Sequence, residues 1–93
     1  MAKIMIIITS KWDYLKDQLD ALCTQVLKAG INCEIKSYDE PEAMKFIIRY
    51  GINNGMVRIP QIYIIDNDKV RQVKYRVTND LKLVIDDFNN PNQ

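Results

Sequence analysis

The chain contains no histidine. That absence excludes a histidine general base, a histidine-dependent catalytic triad and a histidine-ligated zinc site. Cysteine is almost as scarce. Cys23 and Cys33 are too few for a disulfide framework and are not spaced as a C-x-x-C pair. Neither sign of charge dominates, and a formal net charge of +1 gives no general reason to expect nucleic acid or an anionic membrane as partner. There is no long hydrophobic run. Ile4–Ile8 is apolar, but Lys11 and Asp13 follow at once, so it reads as a strand rather than a signal peptide or membrane span. Repeats, low-complexity stretches and linkers are missing too. Cytoplasmic residence is the default expectation, and no metal site or cofactor is expected.

What is present is ordinary for a soluble globular protein: 93 residues, 47% hydrophobic and 27% charged, which predicts one domain over residues 1–93. Lys3–Thr9 carries an isoleucine-rich run without polar alternation, the pattern of an interior strand covered on both faces. Ser10 is placed to cap a helix, with Asp13 acidic in its first turn. Leu15, Leu19, Leu22, Cys23, Val26 and Leu27 keep helical spacing, which predicts a helix over residues 11–29 stopped by Gly30. A second strand spans Ile31–Ser37, with Ile31, Cys33 and Ile35 on one face and Asn32, Glu34 and Lys36 on the other.

Asp39-Glu40-Pro41-Glu42 reads as a helix start, with a cap, an early proline and a glutamate at the capping-box position. Met44, Ile47 and Ile48 form the predicted buried stripe of that helix, and Gly51 with Asn53-Asn54-Gly55 ends it in a loop. Pro60 heads the next strand, where a missing backbone donor is tolerated, and Ile62, Ile64 and Ile65 make it a buried one. Asp66-Asn67-Asp68 forms a tight turn into a fourth strand, marked by Val70, Val73, Tyr75 and Val77 and interleaved with Lys69, Arg71, Lys74 and Arg76. Thr78 or Asn79 then caps a predicted last helix with Leu81, Val84, Ile85 and Phe88 on one face, and Asn89–Gln93 reads as a frayed tail. The predicted order is β-α-β-α-β-β-α, with a right-handed crossover between the first two strands and an antiparallel hairpin after Ile65.

Ile59-Pro60-Gln61-Ile62-Tyr63, at the third strand of this order, resembles the T-V-P-Q-I-F-I segment of glutaredoxins and, more loosely, its thioredoxin counterpart. The resemblance is specific at these residues and covers nearly the whole chain at the level of pattern. It implies an α/β thioredoxin fold with a four-stranded mixed sheet. It also implies a cis Ile59-Pro60 bond whose preceding residue offers backbone hydrogen bonds to a bound substrate. The composition and the similarity to small viral glutaredoxins suggest a virus of bacteria.

Counted without gaps from Thr9, the C-P-Y-C motif of a glutaredoxin falls on Asp13-Tyr14-Leu15-Lys16, and Trp12 falls where thioredoxins carry the tryptophan of W-C-G-P-C. The motif therefore resembles one in which both cysteines have been replaced. Disulfide exchange needs an attacking thiolate, and a carboxylate at Asp13 cannot supply it. The expected result is a charge pair between Asp13 and Lys16, or simply a capped helix start. Trp12 reads either as an exposed anchor for a partner or as a side chain folded back over the first helix. Cys23 and Cys33 both fall on apolar faces and read as small, reduced, buried hydrophobes, a bond between them being disfavoured in a cytosolic chain.

The leading expectation is a redox-inactive protein-binding or regulatory module. It would present Trp12, Asp13, Tyr14, Lys16, Arg58, Ile59 and Pro60 to an extended segment of a protein partner, with no catalytic residue. The alternative implied by the resemblance is residual glutathione binding or a glutathione-dependent oxidoreductase or transferase activity. Lys11, Ile59, Asn79 and Asp80 would then hold glutathione, with Ser10 or Tyr14 polarising its thiol. Arg76 and Val77 replace the glycines that precede the acidic cap in the family. A third expectation is a nucleic-acid-binding module using Lys69, Arg71, Lys74 and Arg76. The competing reading of that basic strand is an edge protected from aggregation.

Overall fold

A computed structural model of the chain describes residues 3–85. Strand β1, Ile4–Thr9, is the centre of the molecule. It pairs in parallel with β2, Asn32–Ser37, and antiparallel with β5, Gln61–Asp66; β5 in turn pairs antiparallel with β6, Lys69–Val73. The result is a four-stranded mixed sheet in the order β2-β1-β5-β6. Two short hairpins stand outside it: β3, Ile52–Asn53, with β4, Met56–Val57, and β7, Tyr75–Val77, with β8, Leu83–Ile85.

The alternation of β1 divides the core between two helices. Met5 and Ile7 pack with Leu15, Leu19, Leu22 and Val26 beneath helix α1, Lys16–Lys28. Ile6 and Ile8 pack with Ala43, Ile47 and Tyr63 beneath helix α2, Pro41–Tyr50. Burying a side chain of this size stabilises the fold by about 1.5–3 kcal/mol, so the interior strand accounts for a large part of the driving force. On the α2 side of β2, Lys36 lies 2.8 Å from Glu42 and 3.4 Å from Glu34. The hydrogen bond to Glu42 holds the lysine above its usual range and the glutamate below its own.

The buried stripe of α2 is rotated from the predicted one. Ala43 and Ile47 are buried and Phe46 is half-buried, whereas Met44 and Ile48 face outward at 49% and 68% exposure. The aromatic stack of Phe46 and Tyr50 on Tyr63 fixes that rotation, with ring centroids 5.3 and 6.0 Å from the Tyr63 ring. Glu40, rather than Asp39, occupies the cap position before Pro41, and no side chain caps the helix. The segment read as a plain loop after Gly51 is the β3–β4 hairpin. Asn54 and Gly55 turn it with φ of 53° and 75°, the pair of positive values that a two-residue hairpin turn of this hand demands.

Two further expectations are overturned in the fold. The last helix does not form over the described residues. Leu83, Val84 and Ile85 are instead a strand paired with Val77, Arg76 and Tyr75. The Thr78 N–H donates to the Lys82 carbonyl, the Lys82 N–H donates to the Thr78 hydroxyl, and Thr78 and Asp80 bond through their side chains. These local bonds, with the Leu81 N–H donating to the Thr78 carbonyl, close residues 78–82 into a hairpin turn rather than a helix. Phe88 and the rest of residues 86–93 lie outside the described residues.

The second correction concerns the cysteines, which are bonded to each other rather than free. Cys23 on α1 and Cys33 on β2 face one another where the helix packs on the strand, with Cα atoms 5.4 Å apart, inside the range a disulfide spans. The apolar placement read from the sequence is correct, and it is this shared face that brings the two sulfurs together. No helix among the described residues is long and apolar enough to cross a membrane.

The disulfide closes a short ring, with a sequence separation of 10 residues. Opening it with dithiothreitol, or with Cys23→Ser and Cys33→Ser together, is expected to lower the unfolding free energy by about 3 kcal/mol through restored chain entropy. Urea unfolding with and without reductant measures this. Coincident midpoints would contradict it.

Candidate functional site

In the antiparallel pairing of β1 with β5, Ile8 lies opposite Gln61. The C-terminal end of β1 therefore meets the N-terminal end of β5, and the chain leaving Thr9 passes beside Pro60. The Ile59-Pro60 peptide bond is cis, as the resemblance implied. A cleft of about 1150 Å³ opens at this junction. Tyr14 comes to it from the turn before α1, Arg58, Ile59 and Pro60 from the approach to β5, and Lys74 and Tyr75 from the bend between β6 and β7.

Asp13 shapes the turn. Its carboxylate accepts the Thr9 hydroxyl at 2.6 Å and the Leu15 N–H at 2.8 Å, while its own N–H donates to the Ser10 carbonyl at 3.2 Å. The helix consequently starts at Lys16 rather than Lys11, and Asp13 does the organising expected of Ser10. The carboxylate is already bonded, and the expected Asp13–Lys16 ion pair is not formed. Trp12 projects from the same turn at 90% exposure, which rules out the reading in which it folds back over α1. Tyr14 is 67% exposed beside it in sequence.

The floor of the cleft is polar but satisfied. Gln61 is buried; its amide donates to the Gly51 carbonyl at 2.9 Å and accepts the Tyr63 hydroxyl at 2.5 Å. A Cβ at position 51 would overlap the Gln61 side chain, so glycine is needed there for close approach. Burial pushes the Tyr63 hydroxyl up to about 12. On the opposite wall, the Tyr75 hydroxyl donates to the Pro60 carbonyl at 2.5 Å. Burial, and then the nearby Asp13 charge, raise its pKa as well. Gln18 of α1 clamps the β7–β8 hairpin, donating to the Leu81 carbonyl and accepting from the Leu83 N–H, both at 2.6 Å. That clamp holds β7, and so Tyr75, at the cleft.

Of the residues singled out from the sequence, Tyr14, Arg58, Ile59 and Pro60 line the cleft together. Trp12, Asp13 and Lys16 belong to the adjoining turn and first helical turn but do not line it. Lys11 is exposed and does not line it either. Asn79 and Asp80 cap no helix; they sit in the β7–β8 turn, away from the cleft lining. Outside the strand ladders, no backbone hydrogen bond among the described residues engages Ile59, while Arg58 directly follows β4 at the end of the β3–β4 ladder.

The basic strand is also divided. Lys69 and Arg71 lie on the sheet edge in β6, whereas Lys74 and Arg76 line the cleft. The sequence carries no signal for this division, because Val73, Tyr75 and Val77 alternate with Lys74 and Arg76 as one continuous strand would. The Asn54-Gly55 dipeptide between Ile52 and Val57 was a stronger signal, marking the hairpin at the cleft's rim. Among the described residues, no group of three or more His, Cys, Asp or Glu side chains is placed to hold a metal ion. No protein-family model matches the chain, and neither a curated protein nor a solved structure matches it significantly. The reading of the cleft therefore rests on its own residues.

Asp13→Ala is expected to cost about 1–2 kcal/mol, because it frees the Leu15 N–H and strands the buried Thr9 hydroxyl. Chemical unfolding at neutral pH tests this, and an unchanged midpoint would contradict it. The Tyr63 hydroxyl, at about 12 in the folded state against 10.0 ordinarily, adds a pH dependence. Its contribution is complete below pH 10 and is lost as pH rises toward about 12, since the unfolded phenol ionises first. Tyr63→Phe should flatten the alkaline fall in the urea midpoint; an unchanged slope would refute the assignment.

Proposed function

We propose that the chain is a thioredoxin-fold, glutaredoxin-like module that binds an extended protein segment and carries out no thiol chemistry. The sheet order β2-β1-β5-β6 and the cis bond ahead of β5 support the fold reading. The described residues lack its last helix, which the β7–β8 hairpin replaces. The observation that carries the functional reading is the 90% exposure of Trp12, two residues before Tyr14 of the cleft wall, together with a rim that includes Ile59, which belongs to no strand.

An extended segment laid along that rim would add backbone hydrogen bonds at Arg58-Ile59, in the manner of strand addition. Trp12 and Tyr14 would supply apolar area beside it. The Pro60 carbonyl already accepts the Tyr75 hydroxyl, so the segment's backbone contacts would fall before the proline, at Ile59. The absence of thiol chemistry follows from placement. The turn before α1 holds no cysteine, and the two cysteines of the chain are bonded to each other between α1 and β2. A disulfide persists most readily in an oxidising compartment, which argues against the cytoplasmic default. The glutathione reading loses its acidic cap, because Asn79 and Asp80 stand in a hairpin turn.

Trp12 is the single tryptophan of the chain, so its fluorescence reports directly on what covers the site. Displayed random peptides selected on the folded protein should shift that emission to the blue and perturb the Arg58 and Ile59 amide resonances. Trp12→Ala should weaken such a peptide by about thirtyfold, on the order of 2 kcal/mol. Lys69→Ala, on the far edge strand, should leave binding unchanged. If Trp12→Ala binds like the parent while Lys69→Ala fails, the interaction face is the basic edge. Turnover of a glutathione mixed disulfide would refute the claim that thiol chemistry is absent.

A further inference from the structure

Positive charge is concentrated in the cleft. Over the whole chain cations and anions nearly balance, 13 against 12. Among the described residues that line the cleft, Arg58, Lys74 and Arg76 contribute charged side chains and no aspartate or glutamate does. These cations come from two separate parts of the fold: Arg58 from the segment before the cis bond, Lys74 and Arg76 from the bend into β7. Arg58 and Lys74 are exposed, and neither takes part in an ion pair among the described residues. Lys36 is the contrast, since its charge is matched by Glu42 and Glu34.

We infer that the segment bound in this cleft is acidic, its carboxylates meeting Arg58 from one side and Lys74 from the other. This rests on the peptide-binding reading above and adds to it the charge of the partner. In an extended peptide, alternate side chains point to the same side. Acidic residues at alternate positions would therefore face the cations together while the backbone runs past Ile59. Complementary charge of this kind contributes mainly to partner choice and association rate, and it is sensitive to salt.

A single-stranded nucleic acid is the other polyanion to weigh, and the cleft suits it less well. Sequence-tolerant binding of that kind uses a series of aromatic faces along a basic groove. Here Tyr75 is half-buried with its hydroxyl held by the Pro60 carbonyl, which leaves Tyr14 as the exposed ring on the cleft wall.

The test uses three pools of capped ten-residue peptides with varied apolar residues at alternate positions and Glu, Gln or Lys at the rest. Binding is read from the Arg58 and Ile59 amide resonances and from Trp12 emission, with a single-stranded oligothymidylate as a fourth probe. The glutamate pool is expected to bind roughly tenfold more tightly than the glutamine pool, with the margin shrinking as salt rises. Arg58→Gln and Lys74→Gln, each checked for an unchanged circular dichroism spectrum, should each reduce that margin, and Lys69→Gln should not. Because both positions are exposed, either variant alone suffices if the other is poorly folded. Equal binding of the three pools would overturn the inference and leave the peptide-binding reading intact, as would a preference for lysine. Binding of the oligothymidylate alone, or of no probe, would overturn both.

Discussion

Strand β1 has no polar residue until Thr9, so both of its faces must be covered. Most of the architecture follows from that requirement. Met5 and Ile7 call for one apolar layer and Ile6 and Ile8 for another, and α1 and α2 supply them. Neither helix has a side-chain cap of its own, which fits helices held by packing rather than by local signals. The buried edges of β1 require partners as well, and β2 and β5 pair along them in opposite senses.

The position of the cleft is a consequence of that pairing. Because β5 runs antiparallel to β1, the exit of one strand and the entry of the other share an end of the sheet. The turn carrying Trp12, Asp13 and Tyr14 and the cis bond before Pro60 are brought together by this register alone. Asp13 then converts a would-be first turn of helix into a tight loop, which leaves Trp12 in solvent. Gln61 performs the corresponding task below, tying Gly51 and Tyr63 to the start of β5 with its polar atoms satisfied. A buried amide with both ends bonded specifies geometry, because any shift would leave a donor or acceptor unpaired.

The chemistry of the site changes with its sulfur. A cysteine at the head of α1 would have its thiolate stabilised there, whereas Asp13 is spent on two hydrogen bonds and has no free role. The sulfur this chain does have lies one helix face away, where Cys23 and Cys33 tie α1 to β2. The same fold elements thus carry a structural crosslink in one place and a cation-lined cleft in another. Lys74 and Arg76 reach that cleft because the chain breaks from the sheet at Lys74, and Gln18 holds the resulting hairpin against α1.

Local pattern was enough for the elements whose signals are local. The apolar run of β1, the period of α1, the proline at the head of β5 and the turn at Asn67-Asp68 all express short-range rules, and each was legible from the residues themselves. So were Tyr14, Arg58, Ile59 and Pro60 as neighbours, through the resemblance around Pro60. Tertiary structure alone decided the rest. Met44 and Ile48 have the same spacing as a buried pair, and only the stacking of Phe46 and Tyr50 on Tyr63 turns them outward. Leu81, Val84 and Ile85 satisfy a helical period, yet Gln18, sixty-odd residues away in sequence, bonds the backbone at Leu81 and Leu83 in a hairpin. Cys23 and Cys33 become partners because a helix face and a strand face meet. In each case the deciding interaction joins residues distant in the chain or on different elements, and periodicity along one segment carries no information about it.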